Sequence, residues 1–184
     1  MGICPWRGMG MNPVVGIITG SDSDLPIAQE TAKVLEELEI PFEITIGSAH
    51  RTPDRVMEYA STASDRGIKV IIAVAGGAAH LPGVIASRTI LPVIGVPVNN
   101  SSLGGADALY SIVQMPGGVP VAAMAVGRAG AQNAGIFAAQ ILALNDPRIV
   151  QRLADHRREM AESINSKADK LAEIGLAKYI ENKR

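Results

Sequence analysis

Short apolar runs alternate along this chain with segments whose apolar residues return every three or four positions. Residues 14–19 (VVGIIT) read as a strand. Leu25, Ala28, Ala32, Leu35 and Leu38 then mark one face of a helix. Residues 42–46 (FEITI) predict a second strand, and Pro53 suits an early helical position, with Thr52 as cap and an end near Arg66. The run 70–75 (VIIAVA) is apolar at every position, as expected of a strand covered on both faces. A short helix over 83–87, a strand over 93–96, a helix over 106–113, a strand over 121–125 and an Ala-rich buried helix over 129–144 complete the series. Repeated β-α units imply an α/β protein, a parallel sheet with helices on both sides.

The last segment, 147 to about 176, differs in character. Ile149, Leu153, Met160, Ile164, Ala168, Leu171 and Ile174 predict one long helix with a single apolar stripe. The stripe exceeds what a compact domain needs, so a second subunit is expected to cover it, with His156 structural.

In open parallel sheets, ligands bind outside the carboxyl ends of the strands. The segments that follow the first four strands are GSDSD, GSAHRTP, GGAAHLPG and PVNNSSLGG, all rich in Gly, Ser, Asn or His. In the first, Gly20 allows a sharp exit and Ser23 or Asp24 can cap the next helix. A cap needs only one such residue, yet Ser21, Asp22, Ser23 and Asp24 crowd the site. Serines and backbone N–H groups suit a phosphate, and a carboxylate suits sugar hydroxyls. The second segment offers Ser48, His50 and Arg51: Arg grips phosphate in two-pronged fashion, and His moves protons near neutral pH. In the third, Gly76, Gly77, Ala78 and Ala79 leave a small apolar space beside His80. No Walker loop, GxGxxG or GxSxG is present, which argues against a nucleoside triphosphate, a dinucleotide or a Ser/His/Asp hydrolase. Two histidines with few carboxylates make no convincing metal centre.

Composition narrows the field further. The chain has 184 residues, 17 basic against 18 acidic, and no Lys/Arg run, so neither a nucleic-acid nor an anionic-membrane partner has an electrostatic footprint. Two Phe, three Tyr and one Trp leave few platforms for stacking a flavin or a base. The single Cys4 excludes an internal disulfide framework and fits a reducing, cytoplasmic setting. Residues 1–12 match neither a signal peptide nor a membrane span and read as a disordered tail; 13–184 read as one domain that includes the long helix.

Spacing alone takes the reading to a parallel α/β domain that binds a small phosphorylated ligand, with proton transfer by His50. The motifs GSDSD, SAHRTPD, AGGAAHLPG, PVIGVPV, LYSIVQMPGGVPVA and AQNAG, in this order over residues 13 to 155, resemble the 5-(carboxyamino)imidazole ribonucleotide mutase family of bacterial purine synthesis. The resemblance implies a three-layer αβα sandwich with a flavodoxin-like sheet, a homo-octamer, and a rearrangement without cofactor or metal. It implies Ser21, Asp24, Arg51, Ser48 and Leu81 as substrate-binding positions and His50 as the general acid/base. His80 and the Gly76–Gly77 backbone would line the same pocket. The related carboxylase, which takes aminoimidazole ribonucleotide and carbon dioxide directly, is the alternative. A non-catalytic flavin- or nucleotide-binding module is a third, more distant one.

Overall fold

The computed structural model describes residues 12–182. The disordered tail expected over 1–12 lies, but for Asn12, outside the described residues. Five strands, β1 (Val15–Thr19), β2 (Phe42–Ile46), β3 (Val70–Gly76), β4 (Val93–Val98) and β5 (Ala122–Ala123), form one parallel sheet in the order β2-β1-β3-β4-β5. The chain runs outward from β1 to β2, then crosses back to place β3 on the other side of β1. That reversal is the topological switch point at which such sheets bind ligands.

Alternate side chains of the strands point to opposite faces and build two cores. One face of the sheet sets Val15, Ile17, Ile72, Val74 and Ile94 against helices α1 (Leu25–Glu37) and α5 (Arg128–Ala143). The other sets Ile18, Ile71, Ala73 and Val93 against α2 (Pro53–Thr62), α3 (Leu81–Ala86) and α4 (Ala106–Val113). This is the expected three-layer αβα sandwich. Small residues let α1 and α5 meet closely: Thr31 Oγ1 donates to the Ala131 carbonyl at 2.8 Å, and a Cβ on Gly135 would stand 3.0 Å from Val34.

Several boundaries move. The fifth strand keeps two residues of the expected five. Met124 N–H donates to Gly95 O, and the next rung of this parallel register would run from residue 97 to the Met124 carbonyl. Pro97 has no N–H, so the ladder stops. Helix α2 ends at Thr62 rather than near Arg66, because the following residues tighten into turns closed by Ile68 N–H on the Ala63 carbonyl. Helix α3 begins two residues earlier than expected, with Pro82 in its first turn.

The carboxyl-terminal helix α6 (Pro147–Ile174) is a single rod of 28 residues, about 42 Å long. Asp146 caps it by accepting from Arg148 N–H at 3.0 Å, and it breaks at Gly175, whose φ of 75° is unfavourable for other residues. Beyond lies α7 (Leu176–Glu181). Ile149 is the one buried residue of α6, and Leu153 packs beside it. The rest of the stripe is open in the single chain: Met160 is 48%, Ile164 62% and Leu171 38% exposed.

Candidate active site

The strand-end loops converge on one hollow of about 410 Å³ at the switch point; of the residues singled out there, Asp22 and Ser23 do not line it. Ser21 and Asp24 come from the loop after β1, Ser48, His50 and Arg51 from the loop after β2, and Gly76, Gly77, His80 and Leu81 from the end of β3.

The loop after β1 folds as a 3-10 turn over Asp22–Asp24 that leads into α1. Its cap is Ser21, whose Oγ accepts from Ser23 N–H at 3.3 Å. Neither Ser23 nor Asp24 caps α1. Asp24 occupies the capping position, but its carboxylate makes no cap bond and turns instead toward Asn100, whose Nδ2 donates to Oδ1 at 2.8 Å. The start of α1 has few free donors for an anion. Asp24 N–H is already bonded to Ser21 O, Leu25 N–H to Asp22 O, and Pro26 has none. An anion there would rely on hydroxyls and on Arg51.

The loop after β2 is tied down by its own short side chains. Thr52 precedes α2 as expected but makes no cap bond, because its Oγ1 accepts from Ser48 N–H at 2.9 Å and donates to Ser48 O. Ser48 Oγ accepts from Arg51 N–H at 3.2 Å. The Arg51 guanidinium then reaches across to donate to Gly20 O at 3.1 Å, joining the first two loops. Its Nε–H donates to Ser48 Oγ at 3.4 Å, and Arg51 lines the hollow, where the rest of a guanidinium suits a phosphate.

His50 stands on this loop and His80 immediately before α3. Their rings meet edge to face with 5.0 Å between centroids, and His50 Nε2 and His80 Nδ1 lie 2.8 Å apart. One of these nitrogens donates and the other accepts, so the tautomers of the two rings are matched. His80 lines the pocket, as expected from its loop, and also meets His50.

Asp24 is 3% exposed. Burial raises its carboxyl above the ordinary value, against the hydrogen bonds from Ser23 and Asn100, which favour the ionised form; Asp22 adds to the rise and Arg51 opposes it. Asn100 was not singled out from the sequence. The signal available was its place after β4, the fourth of the strand-end segments. Among the described residues, no three His, Cys, Asp or Glu side chains gather where they could share a metal ion.

Order of strands and contents of the pocket together define a flavodoxin-like α/β domain with acid–base side chains at its ligand edge. Comparison with known proteins narrows that class: the chain belongs to the AIR carboxylase family, whose model matches residues 14–163. It is 57% identical over 171 residues to the N5-carboxyaminoimidazole ribonucleotide mutase of Thermotoga maritima, covering 93% of this chain and 99% of that protein. It is 55% identical over 168 residues to the phosphoribosylaminoimidazole carboxylase of Schizosaccharomyces pombe, covering 91% of this chain and 30% of that protein. The crystal structure of Treponema denticola PurE superposes with a TM-score of 0.78 at 32% identity, over 86% of this chain and 98% of that one.

Proposed function

We propose that the pocket converts 5-(carboxyamino)imidazole ribonucleotide into 4-carboxy-5-aminoimidazole ribonucleotide, an isomerisation in purine biosynthesis. The observation that carries this reading is the convergence of Asp24, His50, Arg51 and His80 on one hollow, in a chain so similar to a named mutase. Arg51, with the hydroxyls of Ser21 and Ser48, holds the phosphate. Asp24 accepts from the ribose hydroxyls. The imidazole ring then lies toward the two histidines, over Gly76 and Gly77.

The bond changes balance within the substrate. The bond between the exocyclic nitrogen and the carboxyl carbon breaks, its electron pair stays on nitrogen, and carbon dioxide is released. Nitrogen takes up one proton. The ring carbon, made nucleophilic by the amine, then forms a bond to carbon dioxide and loses its own proton as the ring regains aromaticity. One proton is given and one recovered, so a single group that does both closes the cycle. His50 is that group, and its bond to His80 supplies a second site where the proton can rest. The Gly and Ala floor leaves room for carbon dioxide to stay beside the ring between the two steps.

A carboxylase acting on aminoimidazole ribonucleotide and dissolved carbon dioxide is the second reading, favoured by the 55% identity to the fungal carboxylase. An ultraviolet assay separates them. The carboxyamino substrate without bicarbonate, and aminoimidazole ribonucleotide with carbon dioxide, are offered in turn. A mutase turns over the first faster; a faster second reaction overturns the proposal.

The open stripe of α6 supports assembly with further copies of the chain, and the reading we propose for that assembly is the homo-octamer that the family resemblance implies. No helix among the described residues is long and apolar enough to cross a membrane, and a cytoplasmic site of action fits a substrate drawn from central metabolism.

A further inference from the structure

The loop after β4 reaches back over the pocket floor. Asn100 Nδ2 donates to Asp24 Oδ1 at 2.8 Å, joining two loops that stand 76 positions apart in sequence. The same amide lies against the end of β3, where a Cβ on Gly76 would stand 2.0 Å from Asn100 Oδ1 and 2.7 Å from Nδ2. Its position is thus bounded on two sides.

The two oxygens of Asp24 are unequal. Asn100 and, more distantly, Ser23 Oγ at 3.5 Å both donate to Oδ1. Oδ2 has no donor among the described residues. It is nevertheless not sealed away: the buried unpaired side-chain atoms are Thr19 Oγ1 and Tyr59 OH. Oδ2 therefore keeps some exposure, on a residue that lines the hollow. A carboxylate torsion is broad and nearly two-fold, so nothing intrinsic to Asp24 chooses which oxygen faces the ligand.

We propose that Asn100 is a positioning residue: by holding Oδ1, it turns Oδ2 of Asp24 into the pocket as acceptor for a ribose hydroxyl, and so sets the preference for a ribonucleotide over its 2-deoxyribose counterpart. This role rests on Asp24 being the hydroxyl acceptor of the proposed mutase. The Asn100 amide also helps a buried carboxylate stay ionised, against the desolvation that opposes it.

The test uses the full-length protein as it assembles, with wild type, Asn100→Ala, Asn100→Asp and Asp24→Asn compared. Calorimetry reads the affinity for 4-carboxy-5-aminoimidazole ribonucleotide and for its 2-deoxyribose analogue, and steady-state kinetics reads KM and kcat. A hydrogen bond to a charged group is at stake, so Asn100→Ala should weaken the ribonucleotide about tenfold and the analogue much less. The loss should fall on KM rather than on kcat. Asn100→Asp should be worse than Asn100→Ala, since it places a second carboxylate beside Asp24. If Asp24→Asn erases the preference for ribose while Asn100→Ala keeps it, Asn100 does not position Asp24 and the mutase pocket stands as described. If neither variant changes the preference, Asp24 is not the hydroxyl acceptor, and the role proposed for Asn100 fails with it. A fall in kcat at unchanged KM in Asn100→Ala also overturns the positioning role.

Discussion

Replacing Gly76 by alanine adds one methyl group at a point where the structure has no room for it. An ideal Cβ there lies 2.0 Å from Asn100 Oδ1, 2.6 Å from Cγ and 2.7 Å from Nδ2. Non-bonded carbon contacts settle near about 3.5–4.0 Å, so the amide must retreat by more than about 1 Å. That is enough to break its 2.8 Å bond to Asp24. Two costs compete. Overpacking costs about 1–3 kcal/mol where neighbours cannot yield. Here the three nearest atoms all belong to the far end of one short side chain, on a residue that is exposed overall, and Gly76 is not among the glycines at positive φ. The fold should therefore lose less than about 1 kcal/mol, while ligand affinity should fall by about tenfold, the worth of a hydrogen bond to a charged group. Thermal unfolding and ligand titration on Gly76→Ala, Asn100→Ala and the double variant separate the two costs. In the double variant the methyl meets no amide, so its affinity should match Asn100→Ala alone, a plainly non-additive cycle. Strictly additive losses, or a destabilised protein that binds normally, would refute the reasoning.

Three further outcomes are expected. His50→Asn should keep fold and ligand affinity but lose at least about 10²-fold in turnover, the usual worth of general acid–base catalysis; His80→Asn should lose less, and a dead His80→Asn beside an active His50→Asn would assign the shuttle to the other ring. Ile164→Glu, at a position 62% exposed in the single chain, should leave each chain folded but shrink the assembly seen by light scattering; unchanged mass would show that the stripe is not an interface. Asp146, held down to about 2 by its hydrogen bonds to Arg148, is a carboxyl with a depressed folded-state pKa, so its contribution to stability is full above the ordinary carboxylate range and is lost as pH falls toward 2. The stability gap between wild type and Asp146→Asn, which keeps a capping oxygen, should accordingly be constant near neutral pH and close in acid, and a gap independent of pH would contradict the contribution of the ionised carboxylate through Arg148.

Much of this architecture is legible in the sequence because parallel strands covered on both faces leave a plain trace. The unbroken run over 70–75 lies in β3, buried at every position through Ala75. The site was legible for a related reason. A parallel sheet brings every strand's carboxyl end to one edge, so polar loops far apart in sequence converge whatever lies between them. What escaped depends on pairing that periodicity does not carry. The early end of β5 follows from Pro97 on the neighbouring strand, and it shows only once the register is known. Asp24 looks like a helix cap in sequence, and only the packing of Asn100 above Gly76 turns its carboxylate aside. The stripe on α6 announces an amphipathic helix, but which surface covers Met160 and Ile164 is a property of the assembly, not of the helix.

Retention of the released carbon dioxide in the pocket until the ring carbon captures it is the central claim, and isotopic labelling tests it most directly. The carboxyamino substrate, labelled with carbon-13 in its carboxyl group, is converted in the presence of excess unlabelled bicarbonate, and the label in 4-carboxy-5-aminoimidazole ribonucleotide is measured by mass spectrometry. The account predicts that most of the label is retained, because carbon dioxide stays beside the ring over Gly76 and Gly77 until the ring carbon captures it. A product whose carboxyl carbon matches the solution pool would show that the gas leaves and returns freely, which is carboxylase behaviour and contradicts the mutase.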